Sequence, residues 1–414
     1  MRVLLANKFF FPGAGSETVF FQTRALLQEH GHEVIDFATR DDSNLPSPYE
    51  SFFAPHRGYD GARVRDAAAS IYSIAARRAL QRLIAHTGPP DVAHLHNVYH
   101  QLSLSIVDEL LAQRIPTVLT VHDSKPVCPS YSIFTDGAPC RRCVDGSVVN
   151  AIKHRCIRGS RPASAIAAAE GALNRARRTY RRLDTLIVPS RFMAGVLERG
   201  GLGARVTVLP NFFEADDASA GDRRHFLFVG RLDERKGVPI LLDAFRRHDG
   251  SARLRLIGGG PLEPKIRSLG PEAGIDLLGV QNEAQVLDEL AGAVALIVPS
   301  TSEENCPMTV LEARSQRTPV VCSDRGGLPE VVTDGVDGLL FPAGDAHALA
   351  ERLGTVAGQP ELAKELAERG FERLRSDHSK QRYYEGLLEA YSEAKRGNGG
   401  SPPIRPRSRS TSGA

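Results

Sequence analysis

Residues 298–312 read Val-Pro-Ser-Thr-Ser-Glu-Glu-Asn-Cys-Pro-Met-Thr-Val-Leu-Glu, and this stretch decides the fold that we predict. The short apolar run Ala295–Val298 is typical of a buried parallel strand, and a helical pattern starts at Met308. Ligands of an open α/β sheet bind at the carboxyl ends of its strands, so we expect Glu304 and Glu312 to face a ligand's hydroxyl groups. The alternative is a helix cap and a solvated first-turn acid.

The same alternation of strand and helix runs through both halves of the chain. In the first half the pattern predicts helices near 17–29, 62–85 and 102–112, and strands at Val3–Ala6, Glu33–Phe37, Asp91–Leu95, Thr117–Val121 and Thr185–Val188. In the second half it predicts strands at His225–Val229, Arg253–Ile257, Asp276–Leu278, Ala295–Val298, Val320–Cys322 and Gly338–Phe341. This order indicates an α/β protein whose parallel sheets are covered on both faces.

The two halves join between Pro189 and Asp222, where Leu209-Pro-Asn211 and a polar run interrupt the pattern. We therefore place two domains at 1–205 and 206–375 and a C-terminal helix at 376–396. Residues 397–414 are rich in Gly, Ser, Pro and Arg, a composition that predicts a disordered tail.

Composition indicates an ordinary globular protein. The 414 residues are 42% hydrophobic and 24% charged, with a formal net charge of +3. No apolar run approaches the roughly 18 residues of a membrane-spanning helix, and the apolar start is too short for a signal peptide. We expect a cytoplasmic protein without structural disulfides.

Two motifs of the first half lie at predicted strand ends. Gly13 and Gly15 precede a helix, where the backbone can approach a phosphate, although a plain tight turn is equally consistent. His122 ends the fourth strand and could donate a hydrogen bond or transfer a proton, or simply bond the local backbone. The group His94, His96 and His100 lacks the companion ligands of a metal site.

The second half places cations and glycines at its strand ends. Arg231 and Lys236 follow the first strand, where they could grip a diphosphate and offset the charge of a leaving nucleotide. Gly258-Gly259-Gly260 would let the backbone pass close to a nucleotide, and the backbone at Val280 could contact a base. Gly326-Gly327 follows a further strand.

Together these motifs closely resemble glycosyltransferase family 4. The resemblance rests on Gly230-Arg231-Leu232, Lys236-Gly237, Gly258-Gly259-Gly260-Pro261, Glu304 with Glu312, and Gly326-Gly327 with Glu330. It implies the GT-B architecture, in which two Rossmann-like, doubly wound domains face each other across a cleft. It also implies a retaining transferase that moves sugar from a UDP-, GDP- or ADP-sugar to an acceptor hydroxyl, without a cofactor for catalysis.

The resemblance also implies roles for individual residues. Arg231 and Lys236 would bind the diphosphate, Glu304 the donor sugar and reaction centre, and Glu312 the ribose. Donor contacts would come from Gly15, His122, Gly259 and, through its backbone, Val280. The chain departs from the family at Asn305-Cys306-Pro307, where Gly-Phe-Gly is common, and at Phe212-Phe213-Glu214, where Gly-Val-Asp is usual.

A cysteine-rich insertion at about 124–160 follows His122. It carries Cys128, Cys140, Cys143 and Cys156, with one CxxC pair. Four thiolates in a reducing compartment favour a structural tetrahedral Zn²⁺. A redox pair, an iron–sulfur cluster or four unlinked thiols are the alternatives.

From Arg141 to Arg182 the chain holds eleven Lys or Arg but only two acids, Asp145 and Glu170. Such a face could meet an anionic membrane or a phosphate-bearing acceptor, or it could be solvated. Nucleic acid is disfavoured because aromatic residues hardly interleave with the basic ones. The sequence thus predicts a transferase acting on a glycan or lipid-linked acceptor. A nucleotide-sugar epimerase and a non-catalytic nucleotide-sugar-binding scaffold are the rival hypotheses.

Overall fold

The computed structural model describes residues 1–56, 64–215, 223–248 and 252–397. These residues form fourteen strands: β1 Arg2–Ala6, β2 Glu33–Phe37, β3 Val92–Leu95, β4 Thr117–Thr120, β5 Phe134–Thr135, β6 Ala138–Pro139, β7 Thr185–Val188, β8 Val206–Val208, β9 His225–Val229, β10 Arg253–Ile257, β11 Ile275–Gly279, β12 Ala293–Val298, β13 Val320–Ser323 and β14 Leu339–Phe341.

The same residues form fifteen α-helices: α1 Gly15–Glu29, α2 Val64–Ile71, α3 Ile74–Thr87, α4 Ser105–Ala112, α5 Asn150–Lys153, α6 Arg161–Ala176, α7 Arg191–Arg199, α8 Val238–Arg247, α9 Glu263–Arg267, α10 Glu283–Ala291, α11 Met308–Ser315, α12 Leu328–Val331, α13 Ala346–Gly358, α14 Pro360–Asp377 and α15 Lys380–Gly397. Helix α11 begins at Met308, as the opening stretch of sequence predicted.

Two six-stranded parallel sheets organise the chain. The first has the order β2-β1-β3-β4-β7-β8 and the second the order β11-β10-β9-β12-β13-β14. In each sheet the strand that comes first in the chain is an interior strand, and the strands that follow it are added on both of its sides. β1 pairs with β2 and β3, and β9 pairs with β10 and β12. Such reversals create a crevice at the carboxyl ends of the strands, which is where open α/β sheets bind ligands.

Apolar side chains cover both faces of each sheet, as the near-continuous apolar strands predicted. In the first sheet, Leu4 and Leu119 pack on one face, while Val3 and Leu5 pack on the other. The second sheet has two corresponding clusters. The predicted two-sheet α/β class is therefore confirmed.

The C-terminal helix packs against the first sheet, although it follows the second in sequence. Its residues Tyr383, Leu387 and Tyr391 are buried with Val3 and Leu5 of β1. The chain thus crosses twice between the sheets. His378 connects the two crossings, because its Nδ1 lies 2.8 Å from the Asn211 carbonyl oxygen and its own carbonyl accepts from Phe213 N at 3.2 Å.

Several predicted boundaries differ from the structure. Strand β8 adds Val206–Val208 to the first sheet, beyond the boundary predicted at residue 205. Two helices, α2 and α3, occupy the stretch near 62–85 where one helix was predicted. The helix is interrupted after Ile71, and α3 starts anew because the Ser73 hydroxyl caps it by accepting from Ala76 N. The helical pattern near 102–112 becomes a helix only from Ser105. The C-terminal helix ends at Gly397, and the rest of the predicted tail, 398–414, lies outside the described residues.

Candidate active site

A cavity of about 900 Å³ lies between the carboxyl edges of the two sheets. Residues after β1, β3 and β4 form one wall, and residues after β9, β10, β11 and β12 form the other. All residues that the sequence singled out for donor binding or catalysis line it: Gly15, His122, Arg231, Lys236, Gly259, Val280, Glu304 and Glu312. The cavity is therefore the candidate active site.

An ion pair between Lys236 and Glu304 lies at the centre of the second wall. Lys236 Nζ is 2.7 Å from Glu304 Oε1, and Ser300 Oγ donates to the same oxygen at 2.6 Å. Burial opposes the charge of Glu304. The nearby Lys236 and Arg235 and the Ser300 hydroxyl outweigh that effect and hold the Glu304 pKa below its ordinary value. Glu304 is therefore an ionised carboxylate at neutral pH.

Arg231 is the second cation of this wall. Its side chain is 63% exposed, and its Nε lies 3.1 Å from Asp233 Oδ2. Asp233 also accepts from Lys236 N at 3.0 Å and so fixes the turn that carries both cations. Because Nε is occupied, the terminal guanidinium nitrogens remain the side of Arg231 that can grip an anion.

Two glycines bring the backbone of this wall together. Gly237 has φ +72°, and a Cβ there would lie 1.7 Å from the carbonyl oxygen of Pro299. Gly258 has φ +128°, and its Cβ would lie 2.0 Å from the carbonyl oxygen of Gly230. No other residue type fits these positions, so the glycines serve backbone packing as well as access to the cavity.

Glu312 lies on α11, one side of the same wall. Burial raises its pKa to about 7, and the charge of Glu283 adds to the effect. Val280 lines the same cavity and is 81% exposed. A ligand with paired hydroxyls would find here a carboxylate that ionises near neutral pH.

We predict that binding of UDP-glucose weakens about tenfold per pH unit below pH 7 and levels off above it. In the role that the resemblance implies for Glu312, the ribose hydroxyls would donate to the carboxylate form, so below its pKa Glu312 would first have to lose a proton. Glu312→Gln should bind more weakly and lose this part of the pH dependence. Calorimetric titrations from about pH 5 to about pH 9 measure the affinity of the wild type and of Glu312→Gln for UDP-glucose. The same change of affinity with pH in both proteins would contradict this role of Glu312.

Three histidines form a stack at the first wall, in which His94 and His96 are buried and His122 is half-buried where it lines the cavity. His122 Nε2 lies 3.0 Å from His96 Nδ1, and the His94 and His96 ring centroids are 4.4 Å apart. His94 in turn contacts Tyr391 Oη at 2.8 Å and Thr120 Oγ1 at 2.7 Å. Burial and, secondarily, the charge of Lys8 lower the His122 pKa to about 4, so His122 is neutral at pH 7.

Sequence matches identify the family to which this arrangement belongs. A family profile described as "Glycosyltransferase Family 4" matches residues 13–217, and one described as "Glycosyl transferases group 1" matches residues 211–373. The chain belongs to glycosyltransferase family 4.

Individual relatives agree with this family assignment. An uncharacterized glycosyltransferase of Methanocaldococcus jannaschii is 33% identical over 193 residues, which cover 46% of this chain and 54% of that protein. The alpha-maltose-1-phosphate synthase of Mycolicibacterium smegmatis is 29% identical over 324 residues, 72% of this chain and 78% of that protein. The matched region thus spans about half the length of the first of these relatives.

Solved structures share the fold. Sucrose-phosphate synthase of Thermosynechococcus elongatus superposes with a TM-score of 0.71 at 20% identity, covering 95% of this chain and 98% of that one. Anabaena HepE in complex with UDP and glucose superposes with a TM-score of 0.65 at 17% identity, covering 95% and 99%. These structures confirm the predicted GT-B fold. The predicted family resemblance and transferase class are confirmed by the two profile matches.

Asn305, which stands where family 4 commonly has the first glycine of Gly-Phe-Gly, joins the two walls. Asn305 Nδ2 lies 3.3 Å from the carbonyl oxygens of Val121 and His122, and Asn305 Oδ1 accepts from Ser190 Oγ at 2.5 Å. Glycine at this position could make no such side-chain bonds. The substitution therefore ties the loop that carries Glu304 to the strand end that carries His122.

Glu330 forms a second bridge between the walls. Its two carboxylate oxygens accept from Arg191 N at 2.7 Å and Phe192 N at 2.6 Å, the first backbone donors of α7. A helix N-terminus favours a carboxylate, since its N–H groups lack partners within the helix. Glu330, from the second sheet's side, thus caps a helix that belongs to the first.

We predict that Glu330→Ala shifts the protein toward a more open arrangement of its two sheets. Hydrogen bonds to a charged group stabilise by about 1.5–3 kcal/mol. Their loss would therefore raise the ratio of open to closed molecules roughly tenfold or more. Small-angle scattering should report a larger radius of gyration, and the affinity for UDP-glucose should fall. Glu361→Ala removes an exposed acid of α14 and is the matched control. An unchanged radius and affinity would rule out this role.

The cysteine insertion does not form the predicted zinc site in this structure. Within residues 1–56, 64–215, 223–248 and 252–397, no three His, Cys, Asp or Glu side chains are arranged to hold a metal ion. Cys128, Cys140, Cys143 and Cys156 are free thiols. Two of them have hydroxyl partners instead, because Cys128 Sγ lies 3.2 Å from Ser130 Oγ and Cys156 Sγ 3.8 Å from Thr135 Oγ1. The expectation of structural zinc is therefore not supported.

Arginines of the basic stretch stabilise the insertion and its surroundings. Arg175 donates to the carbonyl oxygens of Gly146 at 2.7 Å and Val127 at 3.1 Å, and also to that of Cys143. Arg177 and Arg182 pair with Asp108 at 2.6 and 3.0 Å. Part of the predicted basic face is thus engaged within the protein. No helix among the described residues has the length and apolar character to cross a membrane.

Sequence reasoning missed some groups at the cavity, although the strand-end rule would have found them. Ser300 lies two residues after β12, and Asn97 lies two residues after β3. Asp123 follows His122, and burial raises its pKa to about 6, with neighbouring Lys125 opposing the shift. Each occupies the same edge of a sheet as a residue that was chosen. The strand-end rule predicts which edge of a sheet faces a ligand, but it does not tell which side chains along that edge contact the ligand.

Proposed function

We propose that this protein is a retaining glycosyltransferase that moves a sugar from a nucleotide-diphosphate sugar to an acceptor hydroxyl in glycan or glycolipid biosynthesis. The observation that carries the proposal is the Lys236–Glu304 ion pair, with its 2.7 Å contact, beside the open guanidinium of Arg231. Both cations and the carboxylate line one cavity of sufficient size for a nucleotide sugar.

Lys236 and Arg231 would stabilise the charge that develops on the departing diphosphate. Charged donors fixed before the reaction stabilise such a transition state without reorganising during it. Glu304 would then contact the donor sugar through the oxygen that Lys236 does not occupy. In this mechanism the acceptor attacks from the face that the diphosphate leaves, and a phosphate oxygen takes the acceptor's proton. The anomeric configuration is thereby retained.

UDP is the nucleotide that we propose first. The Anabaena neighbour was solved with UDP and with UDP-glucose, which supports a nucleotide-sugar donor for this fold. Glu312, on the wall beside Val280, would hold the ribose hydroxyls. GDP- and ADP-sugars are the alternatives, because backbone contacts at Val280 do not by themselves select a base.

The acceptor, a glycan or a lipid-linked sugar, would approach along the first wall. The cysteine insertion contributes Tyr131, Ser132 and Ile133 to the cavity. Arg141 of the insertion lies near enough to Glu303 to oppose the burial that raises the pKa of that carboxyl. We further propose a cytoplasmic protein whose remaining basic residues contact the anionic inner membrane face.

The proposal is tested with UDP-glucose, GDP-mannose and ADP-glucose. A donor that binds the folded state raises the melting temperature. Proton NMR of the slow hydrolysis then reports the anomer released first, and a retaining enzyme releases the α-sugar from an α-linked donor. Release of the β-sugar would overturn retention. Conversion to an epimeric sugar without acceptor would support the epimerase, and binding without turnover would support the scaffold.

A further inference from the structure

The bond between His122 and His96 determines what His122 can do at the active site. One ring nitrogen of His122, Nε2, lies 3.0 Å from His96 Nδ1. The ring centroids are 5.1 Å apart and the planes are inclined by 28°. With the two nitrogens 3.0 Å apart, this separation requires the contact to lie close to both ring planes. His122 lines the cavity. Its Nδ1 makes none of the hydrogen bonds found among the described residues and is the nitrogen left for a ligand.

His96 determines where the proton of this hydrogen bond lies, because the second ring nitrogen of His96 has no hydrogen-bond partner among the described residues. His96 is 0% exposed, and within the described part of the chain no group hydrogen-bonds its Nε2. A neutral imidazole carries one N–H and one lone pair. Among buried backbone groups an N–H without an acceptor is rarer than a carbonyl without a donor, and we apply the same order to the ring nitrogens. The proton of His96 therefore belongs on Nδ1, where it can be donated to His122.

We propose that His96 is a positioning residue that holds His122 as its Nδ1–H tautomer, so that His122 presents a hydrogen-bond donor to the cavity. His96 Nδ1–H donates to the lone pair of His122 Nε2, and the proton of neutral His122 is then on Nδ1. In this form His122 is not a general base. It donates to an oxygen of the bound sugar nucleotide, and this ligand assignment, unlike the tautomer, rests on the proposed function.

The surroundings keep the stack in place. His94 packs against His96 and is hydrogen-bonded by both of its nitrogens, to Tyr391 of α15 and to Thr120 of β4. Phe20 and His96 form a T-shaped pair, with ring centroids 5.4 Å apart. The buried position lowers the His96 pKa well below its ordinary value, which agrees with a neutral ring.

The tautomer is measured directly, without any substrate. Long-range proton–nitrogen NMR on protein labelled at histidine nitrogen distinguishes a protonated from an unprotonated ring nitrogen, and His122→Gln identifies the His122 signals. We expect a protonated Nδ1 and an unprotonated Nε2 in the wild type. A protonated Nε2 overturns the proposal, whatever the enzyme's substrate proves to be.

Two variants separate positioning from packing. His96→Asn keeps an amide N–H close to the position of Nδ1–H, whereas His96→Phe keeps an aromatic ring but removes the donor. We expect a mixture of His122 tautomers and about tenfold slower UDP-glucose hydrolysis in the Phe variant, with rescue by Asn. A UDP-induced melting shift equal to that of the wild type verifies that each variant is folded. A single Nδ1–H tautomer and full turnover in the Phe variant would overturn the proposal.

Discussion

Replacing Lys236 with methionine is expected to slow sugar transfer about 100- to 1000-fold, the usual effect of removing one preorganised group that stabilises developing charge. Lys236 Nζ lies 2.7 Å from Glu304 Oε1 in the cavity, so one substitution removes the counter-charge of Glu304 and the diphosphate contact that we propose for Lys236. The loss should fall mainly on kcat, because the leaving group carries more charge in the transition state than in the bound donor.

Lys265→Met is the matched control, since it removes an exposed lysine of α9 from the same half of the chain. Its steady-state kinetics should equal those of the wild type. The double variant Lys236→Met/Glu304→Gln should be little slower than the slower single variant, because the two residues act as a unit. Transfer within threefold of the wild type in Lys236→Met would contradict this role.

The second large effect is on stability. Lys125 and Glu170 form an ion pair of 2.7 Å, and each side chain is only 2% exposed. Lys125→Met is expected to destabilise the protein by about 3–5 kcal/mol, because it leaves the Glu170 carboxylate buried without its cation. The chain has no tryptophan, so calorimetry and circular dichroism are the suitable measurements.

The double variant Lys125→Met/Glu170→Gln is the control for this prediction. It removes both charges and should recover most of the lost stability, since a buried ion pair can often be replaced by neutral groups at little cost. The pair connects the segment after β4 to α6, so the loss should appear in the transition that unfolds the first sheet. If the single variant Lys125→Met were as stable as the wild type, burial of the unpaired Glu170 carboxylate would not lower the free energy of unfolding, and the prediction would be wrong.

Local patterns predicted most of the fold. Short, mostly apolar runs located strands of both sheets, such as Thr185–Val188 and His225–Val229, which the structure reproduces. The pattern missed β8, because Val206–Val208 is short and partly exposed and its pairing with β7 is a tertiary contact. It also could not show that α15 returns to the first sheet, since a helix's apolar stripe does not state which sheet it will cover.

The candidate site divides in the same way. Strand-end positions brought Arg231, Lys236, Glu304 and Glu312 to one cavity, since parallel strands place their carboxyl ends on one edge. Cysteine spacing, by contrast, predicted a zinc site that the described residues do not form. A four-cysteine pattern states which thiols could meet, whereas a metal site depends on the directions of their side chains, which the tertiary structure decides.

The sequence by itself determined the two α/β halves, the edge of each sheet at which ligands bind and the charged residues at that edge. These features depend on periodicity and on residues close together in the chain. Only the tertiary structure decided that Asn305 joins the walls, that Glu330 caps α7 and that His96 contacts His122. Each of these bonds joins residues on different elements, and their distance and direction exist only once the sheets have packed.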